Sequence, residues 1–123
     1  MEQPEKGTKK KCTRIIQEII IARDKVCQHP ECNAPIDCGH HLFKRDRPTT
    51  AYLPEALLGV CTQHHTGWCH MKPAEFKKFM IQRLGANRYY ELRRLSYEHI
   101  EGIDYNEIYQ GLVEVLRAYG RGD

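Results

Sequence analysis

Metal-binding side chains are concentrated in one short stretch of this chain. Five of its six cysteines and six of its seven histidines lie between Cys27 and His70. Thiolates and imidazoles are the ligands that zinc and related ions prefer. A chain of 123 residues has room for only a modest core, so metal ligation would add folding free energy that packing alone supplies poorly. The order of the ligands predicts two metal sites, one structural and one catalytic.

The length fits one domain, and a polar segment precedes it. Residues 1–11 include Pro4 and Gly7 and few apolar side chains, which predicts a flexible basic tail followed by a single zinc-containing domain over residues 12–123. The tail has no apolar stretch typical of an export signal, and no apolar run approaches the roughly 18 residues of a membrane span. We therefore expect a cytoplasmic protein without a membrane partner. In that reducing compartment, cysteines favour metal over disulfides.

Hydrophobic spacing predicts a mixed α+β fold. Apolar pairs over residues 15–21 are spaced like one helix face, and residues 36–43 and 57–60 supply the two arms of a hairpin. Three further helices are expected: one opened by Pro73 and ended by Gly85, one that carries Tyr89, Leu92 and Leu95, and one capped by Asp104.

Two ligand pairs at short spacing form the structural candidate. The spacing is that of a tetrahedral zinc site closed to water, with ligands Cys27, Cys32, Cys61 and His64. Cys38 and Cys69 are alternatives to His64 for the fourth position. His29 lies inside the first pair and is expected to be a bystander, although it could compete for the ion. We expect Trp68 to pack against this site rather than to stack on a base.

Besides His29, four histidines of the stretch from Cys27 to His70 remain once the zinc site is satisfied: His40, His41, His65 and His70. One imidazole can bind a divalent ion while its neighbour accepts a proton from water. Because the ordinary pKa of histidine is near 6.5, this proton transfer is feasible close to neutral pH. The remaining histidines therefore predict a hydrolytic centre with a divalent ion.

The same segments together resemble the HNH (ββα-metal) endonuclease motif. The resemblance covers about 45 of the 123 residues and is carried by Cys27-x4-Cys32, by Gly39-His40-His41-Leu42 and by Leu58-Gly59-Val60-Cys61-Thr62-Gln63-His64-His65. It implies a zinc-bound ββα-metal core with flanking N- and C-terminal helices. Residues 70–95 are more loosely similar to phage-encoded HNH proteins of the NinG recombination type. That similarity implies a role in phage or prophage DNA recombination or processing.

Carried over residue by residue, the resemblance implies metal-dependent hydrolysis of DNA phosphodiester bonds. His41 would be the general base that activates water. Mg2+, Mn2+ or another divalent ion would be held by His40, His65 and His70. Stabilisation of the leaving 3′-oxygen would produce 3′-hydroxyl and 5′-phosphate ends.

The sequence departs from the family pattern at two points. The family has an asparagine in the connecting loop that helps to orient the catalytic histidine, and the matching position here is Ala56. His65 and His70 are five residues apart instead of four, which places their side chains on less well aligned faces of a regular helix. Asp37, Asp46 and Glu55 could substitute as ligands, but we expect ordinary surface carboxylates.

Basic side chains form three clusters, although the net charge is only +3. Such patches suit a polyanion such as duplex or branched DNA. The sequence leaves single-stranded DNA and RNA as alternative substrates. Arg45 follows the histidine pair directly and is the preferred candidate for gripping a phosphate beside the scissile bond. The clusters are Lys9–Lys11 with Arg14, Lys44–Arg47, and Lys72 with Lys77 and Lys78.

Two other classes of function fit the same residues. One is a zinc-stabilised DNA-binding module without catalysis, and the other is a structural or protein-interaction zinc domain. Either would hold one tight zinc per chain, whereas a nuclease would also bind a second, exchangeable divalent ion. The oligomeric state is open, with a homodimer through the C-terminal helix as one arrangement.

Overall fold

A computed structural model of the chain describes the backbone of residues 4–120 and the side chains of residues 7–120. Helices predominate, around one small sheet. In chain order the elements are α1 Pro4–Asp24, β1 Cys38–His41, α2 Pro48–Ala51, a 3₁₀ turn Pro54–Ala56, β2 Leu57–Val60, α3 Thr62–His64, a π-helical turn His65–His70, α4 Pro73–Leu84, α5 Ala86–Ser96 and α6 Tyr105–Ala118.

Helix α1 starts earlier than the sequence predicted. Residues 4–11 are helical, which corrects the expectation of a flexible tail over residues 1–11, and residues 1–3 lie outside the described part. Contacts with α6 explain the longer helix: Thr8 Oγ1 lies 3.3 Å from Asn106 Oδ1, and the Lys9 ammonium lies 6.0 Å from the centre of the Tyr105 ring. Packing along α6 thus stabilises a segment whose composition alone is not strongly helical.

The predicted hairpin is confirmed, and with it the α+β class. Strand β1 pairs antiparallel with β2, with Gly39 opposite Gly59 and His41 opposite Leu57. The connection between the strands contains α2 and the 3₁₀ turn, and β2 leads directly into α3. The order of strand, strand and helix places the two candidate metal-binding segments side by side.

Helix α1 lies directly on one face of this sheet. A Cβ atom at Gly39 would lie 3.1 Å from the Ile20 side chain, and one at Gly59 would lie 3.1 Å from Asp24 Oδ2, both in α1. The Gln17 side chain also binds the free edge of β1: its amide nitrogen donates to the Gly39 carbonyl over 3.0 Å, and its oxygen accepts from the Gly39 N–H over 2.6 Å. Both contacts fix the strand that carries the histidine pair.

An ion-pair network anchors the end of α1 to β2. Asp24, whose side chain is 3% exposed, accepts hydrogen bonds from Arg23 Nε at 2.8 Å and from the Gly59 N–H at 2.8 Å. Arg23 also donates to the carbonyls of Pro54 and Leu57, each over 2.7 Å. Arg23 and Asp24 therefore form hydrogen bonds to buried backbone groups and also neutralise each other's charge.

Two apolar clusters lie on opposite faces of the hairpin. Leu57 faces the first cluster, between α1 and α6, whereas Leu58 and Val60 face the second, which includes the π-helical turn and α4. The three predicted C-terminal helices are present, and Asp104 caps the last by accepting from the Glu107 N–H over 3.1 Å. Within residues 4–120, no helix combines the length and apolar character that a bilayer crossing requires.

We predict that Asp24→Ala lowers the free energy of unfolding by about 3 kcal/mol, because the guanidinium of Arg23 loses its buried partner and the Gly59 N–H loses its acceptor. Denaturant unfolding of the zinc-loaded protein would measure the loss. Glu98→Ala is the control, because it removes an exposed pair with Arg94 on α5 and should cost less than about 0.5 kcal/mol. Equal losses in the two variants would contradict a structural role for the buried network.

Candidate metal centres

Three cysteines and one histidine converge at the junction of two loops. The ligand atoms of Cys27, Cys32, Cys61 and His64 all lie within 4.8 Å of one another. His64 Nδ1 is 3.6 Å from Cys27 Sγ and 3.3 Å from Cys61 Sγ. Zinc bond lengths of about 2.3 Å to sulfur and 2.1 Å to nitrogen give a tetrahedral sulfur–nitrogen separation of about 3.6 Å. These residues therefore fit a zinc ion, and the cluster is called the zinc knuckle below.

Local backbone structure positions both halves of the zinc knuckle. After α1, the Cys27 N–H donates to the Ala34 carbonyl over 2.9 Å, and Glu31 adopts a left-handed conformation (φ 65°) that turns the chain back before Cys32. Cys61 precedes α3, and its sulfur accepts from the His64 N–H over 3.4 Å. The first helical turn thus directs the thiol and the imidazole to the same point.

The thiols of the zinc knuckle differ in acidity. Burial raises the pKa of Cys27 to about 11. Burial also acts to raise the pKa of Cys61, but hydrogen bonds from the His64 backbone and from neighbouring thiols outweigh it and bring the pKa below its ordinary value. Zinc binds thiolates, so loading this site must release protons.

The alternatives for the fourth ligand lie elsewhere. Cys69 is buried in the second apolar cluster, and burial, followed by the neighbouring thiols, raises its pKa to about 12. Cys38 Sγ lies 3.5 Å from His65 Nδ1, toward the other candidate site. The described ligand atoms thus group His64, rather than Cys69 or Cys38, with the three cysteines.

Aromatic rings cover the zinc knuckle. The His29 ring stacks on the His64 ring, with 3.9 Å between centroids and an angle of 4° between planes, and the edge of Trp68 meets His29 at 4.6 Å. Trp68 is only 5% exposed and also packs against Phe76. Its burial agrees with the expected packing role and leaves no face free to stack on a base.

A second group of ligands lies where β1 meets the π-helical turn. Ring nitrogens of His40, His65 and His70 lie within 4.8 Å of one another, and the two Nε2 atoms of His65 and His70 are 3.0 Å apart. Two imidazoles that bind one ion at about 2.1 Å and at right angles would be separated by about 3.0 Å. The three histidines, called the histidine cluster below, therefore fit a divalent ion.

The π-helical turn removes the misalignment expected from the five-residue spacing. In a π-helix the N–H of one residue bonds the carbonyl five residues earlier, as the Met71 N–H does to Thr66 over 3.2 Å. The wider turn brings His65 and His70 onto one side of the helix. A regular α-helix would separate them.

Burial and the charges of neighbouring histidines lower the pKa of two members of the histidine cluster, His40 and His65. Burial, followed by the charges that His65, His70 and His41 would carry, lowers the pKa of His40 to about 4. Burial and the neighbouring His70 also lower the pKa of His65. Neutral imidazoles have the free lone pairs that metal ligation requires.

His41 lies outside this cluster, at the end of β1. Its Nε2 is 3.1 Å from the carbonyl oxygen of Ala51 in α2. A carbonyl only accepts, so Nε2 carries the proton and Nδ1 keeps its lone pair. Burial lowers the pKa of His41, the bond to Ala51 opposes that shift, and the charge of Arg45 adds to it. The lowered pKa keeps His41 unprotonated at neutral pH, in the form that can accept a proton.

Ala51 supplies the orienting contact that was expected to be missing at Ala56. Ala56 is 2% exposed in the first apolar cluster, and its carbonyl accepts from the Leu42 N–H over 2.8 Å. The residue that orients His41 through its backbone could not have been found from its side chain, because any amino acid has that carbonyl.

The remaining predicted residues divide between exposed and paired positions. Arg45 is exposed in the turn after β1, and no hydrogen bond or ion pair joins it to another residue in the described part of the chain. Glu55 forms an ion pair with Arg88 of α5, which ties the connection between the strands to that helix. Asp37 lies within 4.8 Å of His65 but is exposed.

No protein-family model, curated protein or solved structure matches this chain. The resemblance to HNH endonucleases therefore stays a prediction from the sequence motifs.

We predict one tightly held zinc per chain, retained in Cys69→Ser and lost in Cys61→Ser. Removal of one of four ligands weakens the site, whereas Cys69 belongs to the apolar cluster. Metal analysis after dialysis against a mild chelator would measure the zinc content, and thermal unfolding would show whether zinc loss lowers the melting temperature. His64→Cys keeps four ligands and should keep zinc. Loss of zinc in Cys69→Ser, with zinc retained in His64→Ala, would instead make Cys69 the fourth ligand.

Proposed function

We propose that the chain is a divalent-metal-dependent endonuclease of the HNH (ββα-metal) type, which hydrolyses phosphodiester bonds in DNA. The observation that carries the proposal is the separation of four histidines into two positions. His40, His65 and His70 converge within 4.8 Å, while His41 is held apart by Ala51 with one nitrogen free. Hydrolysis assisted by a metal needs both a ligand set and a separate base.

His41 would accept the proton of the attacking water at Nδ1. Its hydrogen bond to Ala51 holds the ring orientation and the tautomer, so no reorganisation of the imidazole is required before the transfer. Its lowered pKa keeps this nitrogen available at neutral pH. The base is thus prepared by burial and by one backbone carbonyl.

His40, His65 and His70 would hold the divalent ion. When bound, the ion would supply positive charge that stabilises the transition state and the leaving 3′-oxygen. Neutral imidazole suits ions such as Zn2+, Ni2+ and Fe2+, whereas Mg2+ and Mn2+ prefer oxygen. The ligand set therefore favours a transition-metal ion over Mg2+.

Basic residues border the histidine cluster on both sides in sequence. Lys44 and Arg45 follow β1, and Lys72 follows the π-helical turn; all three are exposed. Contacts of this kind would position a phosphate backbone without reading its sequence. The looser similarity to NinG-type proteins supports branched recombination intermediates as one class of DNA substrate, beside ordinary duplex.

We predict metal-dependent nicking of supercoiled plasmid that falls at least about 100-fold in His41→Ala, because a positioned general base typically contributes that factor or more. The assay would compare Mg2+, Mn2+, Ni2+ and Zn2+ with EDTA, and the zinc content of each variant would confirm an intact knuckle. His99→Ala, an exposed histidine far along the chain, is the matched control. The ends should be 3′-hydroxyl and 5′-phosphate.

Failure of the wild-type protein to cut plasmid, single-stranded or branched DNA with any of these ions would reject the nuclease. Retained DNA binding in that case would support a zinc-stabilised binding module without catalysis.

We predict that Arg45→Gln weakens DNA binding by the inactive His41→Ala protein and lowers the slope of log affinity against log salt by about 1, as expected for one lost phosphate contact. Fluorescence anisotropy at several salt concentrations would measure the slope. Arg117→Gln on α6 is a control, because Arg117 pairs with Glu114 away from the histidines. Equal slopes for Arg45→Gln and the unsubstituted protein would exclude Arg45 as a phosphate contact.

A further inference from the structure

The sulfur of Cys38 contacts the one nitrogen of His65 that faces away from the histidine cluster. Cys38 Sγ lies 3.5 Å from His65 Nδ1, while His65 Nε2 lies 3.0 Å from His70 Nε2. Cys38 and His40 are two residues apart on β1, so their side chains lie on the same face of the strand. Strand β1 thus contributes His40 to the histidine cluster on the Nε2 side of His65 and Cys38 on its Nδ1 side.

A histidine ligand must present a lone pair on the nitrogen that binds the ion. For His65 to bind through Nε2, Nδ1 must carry the proton, and that proton needs an acceptor. Thioether and thiol sulfurs are weak acceptors but tolerate separations longer than oxygen does. Within the described residues, Cys38 Sγ is the only atom in hydrogen-bonding contact with His65 Nδ1.

We propose that Cys38 is a positioning residue for the metal site: its sulfur accepts the Nδ1–H of His65 and so holds Nε2 as the ligand atom. This inference rests on the proposed function, since it assigns a role toward the ion of the histidine cluster. It gives Cys38, one of the two cysteines between residues 27 and 70 that lie outside the zinc knuckle, a task distinct from zinc ligation.

Asp37 is the rival partner for the same nitrogen. Its carboxylate lies within 4.8 Å of both Cys38 and His65, but it is exposed and forms no hydrogen bond with His65. Its backbone N–H instead donates to the Val60 carbonyl over 2.8 Å, which extends the pairing of β1 with β2. A carboxylate is the stronger acceptor in general, but here the Cys38 sulfur is the group in contact with Nδ1.

The test combines two measurements on the zinc-loaded protein. Nitrogen-15 NMR of labelled histidine would report the tautomer of His65 without added ion, and calorimetric titration with Ni2+ would report affinity for the histidine cluster. We expect the Nδ1–H tautomer in the wild-type protein, a mixed population in Cys38→Ala, and a loss of Ni2+ affinity of about 10- to 100-fold in that variant. Cys38→Ser retains an acceptor and should recover much of both.

Asp37→Asn is the matched control, and we expect less than about a 3-fold change in affinity, as for a screened surface charge. An unchanged tautomer and unchanged affinity in Cys38→Ala would overturn the proposal. So would a large loss in Asp37→Asn alone, which would make the carboxylate the partner. A thiolate-to-Co2+ charge-transfer band in the wild-type protein that disappears in Cys38→Ala would also overturn it, because Cys38 would then be a ligand.

Failure of the proposed function has a different signature. If the wild-type protein binds no Ni2+ beyond its structural zinc, the histidine cluster is not a metal site. The tautomer of His65 in Cys38→Ala and Cys38→Ser would still decide whether Cys38 holds the ring.

Discussion

The zinc knuckle joins the loop after α1 to the start of the helix after β2, and the position of the second site depends on that junction. His65 follows His64 directly, so an ion bound by His64 would also fix where the π-helical turn begins. The turn then sets where His70 lies relative to His40 on β1. The two sites share no ligand, but His64 of the first and His65 of the second are consecutive residues, so the position of one constrains the other.

The other side of the histidine cluster depends on a strand too short to be stable alone. A two-stranded hairpin with four residues in each strand is marginal in water. Helix α1 compensates by covering one face at the two glycines, by pairing Gln17 with the edge of β1, and by bonding Asp24 to Gly59. The second apolar cluster covers the other face. The strand that carries His40 and His41 is therefore held between α1 and the second apolar cluster.

Side-chain chemistry and periodicity were sufficient to predict the hairpin, the later helices and the residues that come together in the two Cys/His clusters, because each depends on residue type and spacing. Three features depend on context instead. The helical state of residues 4–11 follows from contacts with α6. The π-helical turn is defined by backbone hydrogen bonds between residues five apart, which a regular α-helix does not form. The carbonyl of Ala51 orients His41, and this contact cannot be predicted from residue type because every residue has a backbone carbonyl.

The two kinds of histidine in this site need opposite tautomers. His41 is protonated on Nε2 because a carbonyl accepts there, which leaves Nδ1 free to take a proton. On our proposal His65 is protonated on Nδ1 because the Cys38 sulfur accepts there, which leaves Nε2 free to bind an ion. A neutral imidazole is both a base and a ligand, and the partner of its second nitrogen determines which atom is available. On the proposed function, acceptors placed on opposite ring nitrogens would thus let identical side chains perform different tasks.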